Sequence, residues 1–157
     1  MHTIKIENYL SEMEGLVSKH TVLDEKISSA NIGWHLEHTL LVLEYSLRAL
    51  PTSIIADYKP KTSLRKTIIL FTRKIPRGIA KAPKGVRPID ENITEENLHQ
   101  RLDTVKKLLL AANSLSQNHF FPHPFFGDLR LKTAIRFLEI HTNHHLKIVR
   151  EIVGKDI

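Results

Sequence analysis

The chain has 157 residues, a length typical of one domain, and we expect a single domain over 1–157. Its composition, with 41% apolar and 25% charged residues, is that of a globular protein and argues against intrinsic disorder. The net charge is +6, and the absence of cysteine excludes disulfides, thiolate metal ligands and a cysteine nucleophile. We find neither a membrane-spanning apolar segment nor a signal peptide, and therefore expect a cytoplasmic protein with no membrane partner.

Two helices are predicted in the first third of the chain. An apolar stripe with helical spacing predicts the first over residues 4–19. The second follows a polar stretch at 28–31, which offers several good N-cap residues, and it runs to Leu50. Pro51 is expected to stop this helix, because proline has no backbone N–H to donate.

Residues 51–93 form a long connection that contains five of the seven prolines. Within it, Ser63 is predicted to cap a short helix. The apolar face of that helix is predicted to consist of Leu64, Ile68, Phe71 and Ile75.

The connection also carries most of the positive charge of the chain. Ten lysines and arginines, and no acidic residue, lie between Lys59 and Arg87. The simplest interpretation is a solvated basic surface, and the alternative is an anion-binding surface that includes Arg73, Lys74 and Arg77. Because aromatic residues are not interleaved with these cations, we do not expect nucleic acid as the partner.

A third long helix is predicted from near Thr94. A loop over 116–127 separates it from the last helix, which begins near Asp128 or Arg130 and continues to Val153. No segment shows the two-residue alternation of a β-strand. Four long helices with one long connection between the second and third predict an all-α fold, a four-helix bundle in which those two helices run parallel.

Ten histidines are many for a chain of this length, and two of them share the apolar face of the last helix. His141 and His145 are one turn apart, and a helical wheel places both within about 60° of Leu138, at the centre of the apolar stripe. His144 lies about 120° away. Two buried imidazoles either need separate hydrogen-bond partners, as structural histidines, or share a metal ion through neutral ring nitrogens. We expect the shared metal ion.

The second predicted helix offers a third metal ligand. His38 lies on a second apolar stripe with Trp34 and Tyr45, which are predicted to line a pocket beside the metal. The side chain of His35 is predicted to point away from this stripe. His35 would then either support the ligands from behind or serve as an alternative ligand. Three histidines alone leave a divalent ion with open positions, as in catalytic sites. His123, in the loop before the last helix, is expected to close over the site.

Four segments of the chain resemble the DinB-like superfamily. They are IGWHLEHTLLVLEYSL at 32–47, APKGVRP at 82–88, HPFFGDL at 123–129 and HTNHHLKIV at 141–149. The resemblance extends over 28–153 and is greatest to the branch with an HP-aromatic-FG loop before its last helix.

The resemblance implies a four-helix bundle in up-down-down-up order, often dimeric, with nickel or zinc bound by three histidines. These ligands map onto His38, His141 and His145. Characterised members include thiol S-transferases and a mycothiol-dependent isomerase, in which the metal activates a low-molecular-weight thiol. The resemblance therefore implies a metal-dependent thiol transferase that acts on a small-molecule electrophile. It also implies a homodimer. A glutamine that is common in relatives three residues after the histidine pair is replaced here by Ile148.

Two other functions stay open on the sequence alone. A metal-assisted hydrolase needs a general base, for which Glu37 and Glu44 are candidates, although both face away from His38 on the helical wheel. A non-enzymatic helical module that binds metal or anions would use the basic connection instead. Metal content distinguishes the enzymes from an anion-binding module, and a thiol-conjugation assay distinguishes the two enzymes.

Overall fold

A computed structural model describes residues 3–78 and 82–154, and most of them are helical, which confirms the expectation of a mainly α-helical protein. Lys81, one of the ten clustered cations, lies outside the described residues. The elements in chain order are α1 (Ile4–Glu14), α2 (Ile32–Thr52), α3 (Leu64–Thr72), α4 (Glu95–Ala112), β1 (Phe120–His123), β2 (Gly127–Arg130) and α5 (Leu131–Ile152).

The hydrophobic core lies among the four long helices. Helix α2 packs against α4 and α5, and α1 packs against the same two helices. Burial of the apolar stripes stabilises this packing by about 25 cal/mol for each Å² removed from water. The buried stripe of α2 consists of Leu36, Leu40, Leu43, Leu47 and Leu50. Within the described ranges, no helix is both long and apolar enough to cross a lipid bilayer.

Two of the predicted helix ends differ from the observed ones. Helix α1 ends at Glu14, and a short 3-10 turn at Val17–Lys19 follows it. Helix α2 begins after Asn31, whose side chain accepts a hydrogen bond from the Trp34 N–H at 2.8 Å. It continues through Pro51 to Thr52, because a proline in the last turn removes only one backbone hydrogen bond.

A two-stranded antiparallel sheet precedes α5, and the sequence analysis did not predict it. Strands β1 and β2 pair Phe120 with Arg130 and His123 with Gly127. Each strand has only four residues, too few to produce a recognisable alternation of apolar and polar side chains. The all-α expectation is therefore wrong in this detail.

The hairpin also attaches the long connection to the rest of the fold. Gly127 has a φ of +68°, and a Cβ atom there would lie 2.5 Å from the Cβ of Lys61. Pro60 forms an isolated β-bridge with Gly127, and the Lys59 N–H donates to Asp128 Oδ2 at 2.6 Å. The hairpin and the connection therefore approach each other at a distance that only glycine permits.

Helix α3 presents a different face to the core than we predicted. Leu64, Ile68 and Phe71 are 77%, 51% and 84% exposed, whereas Ile69 is buried. Helix α3 contacts α5, whose Arg136 donates to the Leu70 carbonyl at 2.7 Å.

Close packing at the start of α2 depends on Gly33. Its N–H donates to the His20 carbonyl at 2.7 Å. A Cβ atom at this position would lie 2.9 Å from that carbonyl oxygen and 2.6 Å from Ile93 Cγ2. Glycine therefore allows the first turn of α2, which leads directly to the histidines of this helix, to lie against its neighbours.

We predict that Gly33→Ala lowers the free energy of unfolding by about 1–3 kcal/mol, the usual cost of overpacking. Urea denaturation of the two proteins measures the change. Gly85→Ala is the matched control, because nothing lies within 4 Å of a Cβ built there. Equal stability of the Gly33 variant and the wild type would contradict this account of the α2 terminus.

Candidate metal centre

The structure brings His38 of α2 together with His141 and His145 of α5. One ring nitrogen from each residue lies within 4.8 Å of those of the other two. The ring centroid of His38 lies 5.2 Å from that of His141 and 4.8 Å from that of His145. Nitrogen ligands of a tetrahedral ion, at bonds of about 2.1 Å, lie about 3.4 Å apart. Small side-chain movements would therefore close the cluster around an ion.

The tautomer of His38 is determined by a backbone carbonyl. His38 Nδ1 lies 2.7 Å from the Val86 carbonyl oxygen, which can only accept a hydrogen bond. The ring therefore carries its hydrogen on Nδ1 and a lone pair on Nε2, the arrangement usual for metal-binding histidines. Trp34 stacks on the same ring, with centroids 5.1 Å apart. The ring is thus held from two sides.

His141 contains a buried nitrogen with no partner. In the part of the chain that the structure describes, only His141 Nδ1 and Thr142 Oγ1 are buried side-chain polar atoms without a hydrogen bond. Leaving such an atom unsatisfied costs about 1–3 kcal/mol. Together with His38 and His145, His141 offers the imidazole nitrogens that zinc and nickel prefer as ligands, so the residues present fit a metal ion.

His145 contacts a fourth histidine. Its Nδ1 lies 3.0 Å from Nδ1 of His35, and Nε2 of His35 lies 2.9 Å from Ser28 Oγ. The helical wheel directed His35 away from the cluster, but its side chain is buried and reaches His145 across the interface of α2 and α5. A helical wheel gives the direction of a side chain on its own helix. It does not show which side chains of a neighbouring helix will lie beside it.

All these imidazoles are predominantly uncharged at neutral pH. Burial, with a smaller effect of the nearby His38, lowers the pKa of His35 to about 4. Burial also lowers the pKa of His38. The pKa values of His141 and His145 lie well below the ordinary value, because burial is reinforced by the neighbouring histidines. The ring nitrogens that act as ligands would therefore not have to release a proton before they bind a metal ion.

A pocket of about 1740 Å³ opens beside the cluster. Trp34 and Tyr45 line it, as do His35 and the three clustered histidines. The hairpin contributes residues 121–126, and α3 contributes apolar side chains. The pocket is large enough for a small organic substrate next to the histidines.

His123 lies in the wall of the pocket that the three histidines also line. Its Nδ1 accepts hydrogen bonds from the N–H groups of Phe125 and Phe126, both at 3.2 Å. The ring stacks on Phe126 with centroids 4.3 Å apart and meets the edge of Phe137. It therefore stabilises the turn between β1 and β2.

His144 also lines the pocket but lies outside the three-histidine group. Its ring centroid is 5.0 Å from that of His145. The position agrees with the helical wheel, on which His144 lay away from the apolar stripe. His144 is therefore a natural control for substitutions of the clustered histidines.

The two carboxylates considered as general bases are bound by an arginine of α4. Arg101 Nε donates to both carboxylate oxygens of the buried Glu37, at 3.0 and 3.1 Å, and the same guanidinium pairs with Glu44. Burial raises the pKa of Glu37, although Arg101 opposes this shift. Neither carboxylate lines the pocket, so neither is placed to activate a bound water there.

Two of the three candidate anion-binding residues have carboxylate partners on α5. Arg73 pairs with Glu139, and Arg77 contacts Glu151 through two hydrogen bonds of 2.6 and 2.9 Å. Lys74 lines the pocket. The arginines therefore attach the connection to α5, a role that the solvated-surface interpretation did not include.

We predict that His123 contributes to a pH dependence of stability. Burial lowers its pKa to about 4 in the folded chain, against about 6.5 when unfolded. Its contribution is complete above pH 6.5 and is lost as the pH falls toward 4, because only the unfolded state takes up the proton. His123→Asn keeps an acceptor for the turn but does not titrate. Between pH 6.5 and 5.5 the wild type should lose about 1 kcal/mol more stability than this variant.

Urea denaturation at several pH values measures this difference. The other buried histidines titrate in both proteins, so their contribution cancels in the comparison. Parallel pH profiles for the wild type and the variant would show that His123 is protonated equally easily in the folded and unfolded states.

Comparison with known proteins gives a family without an assigned activity. A family model described as a protein of unknown function (DUF1569) matches residues 7–152. The uncharacterized protein YuaE of Bacillus subtilis (strain 168) is 34% identical over 79 residues, which cover 48% of this chain and 49% of that protein. The match thus spans about half the length of this relative, and no solved structure matches the chain. Because the family model covers nearly the whole sequence, the chain belongs to the DUF1569 family of proteins of unknown function.

Proposed function

We propose that this protein is a metal-dependent enzyme whose divalent ion is held by His38, His141 and His145. The observation that carries the proposal is the convergence of three uncharged imidazoles beside a large pocket.

Zinc or nickel is the ion that we propose. Imidazole nitrogen is a preferred ligand of both metals, and the cluster contains neither a thiolate nor a carboxylate. Three protein ligands leave at least one coordination position for water or substrate, as in catalytic zinc sites. The resemblance to the DinB-like superfamily supports the same pair of metals.

The proposed reaction transfers a low-molecular-weight thiol to a small electrophile. The bound ion would supply Lewis acidity that lowers the pKa of the thiol. The thiolate sulfur then forms a bond to an electrophilic carbon, the leaving group departs with its electron pair, and the thiol proton passes to solvent. Because the chain contains no cysteine, the thiol must come from a second small molecule.

The pocket walls favour a substrate with an apolar part. Aromatic side chains from α2, the hairpin and α5 surround the space in front of the histidines, and Arg87 and Lys74 add positive charge to its lining. The aromatic residues of the lining are Trp34, Tyr45, Phe121, Phe125, Phe126 and Phe137. These walls can hold an electrophile against the reacting sulfur and exclude water from it.

We also propose the finer architecture that the DinB-like resemblance implies, a four-helix bundle in up-down-down-up order that forms a homodimer. The packing of α1 and α2 on the same two helices supports the bundle. The homodimer rests on the resemblance.

The alternatives have less support. The two carboxylates considered as bases for a metal-assisted hydrolase do not line the pocket, and Arg101 binds both of them. A module that binds anions through the connection would depend on Arg73 and Arg77, which pair with carboxylates of α5.

We predict that the protein, loaded with zinc and freed of excess metal, holds one ion per chain, as measured by elemental analysis. His145→Ala should abolish this stoichiometric binding, because two imidazoles alone do not retain the ion. His144→Ala, the adjacent substitution outside the cluster, should leave it intact. Loss of metal from the His144 variant with retention by the His145 variant would show that the ligand assignment is wrong.

We predict metal-dependent conjugation of a low-molecular-weight thiol to an electrophile such as chlorodinitrobenzene. The rate should exceed the uncatalysed rate with the metal-loaded protein and fall to background with the His145→Ala variant. Metal-loaded protein that conjugates none of a panel of biological thiols but hydrolyses esters would contradict the transferase and favour the hydrolase.

A further inference from the structure

A line of polar contacts leads from the cluster to Ser28 at the edge of the pocket. His145 Nδ1 lies 3.0 Å from His35 Nδ1, and His35 Nε2 lies 2.9 Å from Ser28 Oγ. The Ala30 N–H donates to the same hydroxyl oxygen at 3.1 Å. Both nitrogens of the buried His35 are therefore occupied by protein groups, and neither is free to bind a metal directly.

The hydrogens in this line can be arranged in two ways. A neutral imidazole has one donor nitrogen and one acceptor nitrogen, so each contact depends on the next. In the first arrangement, Ser28 donates to His35, which donates to His145 Nδ1. His145 then carries a hydrogen on Nε2 and has no free lone pair.

In the second arrangement all the hydrogens point the other way. His145 Nδ1–H donates to His35 Nδ1, and His35 Nε2–H donates to Ser28 Oγ. The hydroxyl oxygen has two lone pairs, which accept from His35 and from the Ala30 N–H. The Nε2 lone pair of His145 is then available to a metal.

We propose that His35 is a positioning residue that, together with Ser28, accepts the His145 Nδ1–H and so stabilises the tautomer that binds the metal. The inference rests on the proposed function and deepens it. His38 needs no such partner, because its Nδ1–H donates to the Val86 carbonyl, which can only accept. His145 is held by a ring that can donate or accept, so its tautomer is able to reverse. The centre thus contains one ligand with a fixed tautomer and one with a reversible tautomer.

The experiment measures zinc affinity by competition with a chromophoric chelator. His35→Leu removes the acceptor for His145 Nδ1–H and should weaken zinc binding by about 10–100-fold, the usual effect of losing such a partner. His35→Asn places an amide oxygen near the position of Nδ1 and should restore most of the affinity. His144→Leu is the matched control in the same pocket and should bind zinc like the wild type.

A second measurement reads the tautomers directly. The ring ¹⁵N chemical shifts of the zinc-loaded protein should show hydrogen on Nδ1 of His145 and on Nε2 of His35. Ser28→Ala, a mild change at the far end of the line, should weaken zinc binding in the same direction as His35→Leu. This variant keeps the test valid if His35→Leu fails to fold. Hydrogen on Nδ1 of His35 in the zinc-loaded protein would overturn the proposal.

The outcomes distinguish this inference from the proposed function. Absence of zinc binding by the wild type overturns both. Unchanged affinity of His35→Leu in a protein that binds zinc overturns only the role of His35. Equal loss in His35→Leu and His35→Asn, with a changed cobalt absorption spectrum, would show that His35 is itself a ligand and would also overturn the positioning role.

Discussion

The burial of uncharged imidazole rings between α2 and α5 is the constraint on which the rest of the structure depends. Each neutral ring has one donor and one acceptor, and a buried group without a partner destabilises the fold. The partners come from separate parts of the chain: the Val86 carbonyl for His38, and the line through His35 to Ser28 for His145. His141 Nδ1 has none. The proposed metal ion would lie where the rings of His38, His141 and His145 converge.

The need for a hydrogen-bond partner for His38 gives the long connection at 51–93 a structural role, because the connection contains Val86. Val86 can orient His38 only if the connection lies against the helices, and several contacts hold it there. Arg77 pairs with Glu151 of α5, and the hairpin meets the connection at Gly127. Each exposed ion pair contributes about 0–1 kcal/mol, so no single pair is essential. Their common effect is to hold the connection against the core. The concentration of positive charge in this segment is therefore explained partly by acidic partners on α5.

The sequence predicted the elements whose signal is local. The spacing of His141 and His145 on one face of a helix, and the stripe that contains His38, indicated three rings that the structure brings together. What it did not predict depends on contacts distant in sequence. The Val86 carbonyl carries no side-chain signal, and His35 reaches His145 only because α2 and α5 pack closely. The strands of the hairpin are too short for a periodic pattern, and the exposed apolar stripe of α3 shows that amphipathicity alone does not determine which face is buried.

X-ray absorption at the metal edge of the zinc-loaded protein tests the central claim most directly. The account predicts three imidazole nitrogens at about 2.0–2.1 Å, with the multiple-scattering pattern of histidine rings, and one or two lighter ligands from solvent. A coordination shell made only of oxygen atoms, or one that contains a single imidazole, would contradict it.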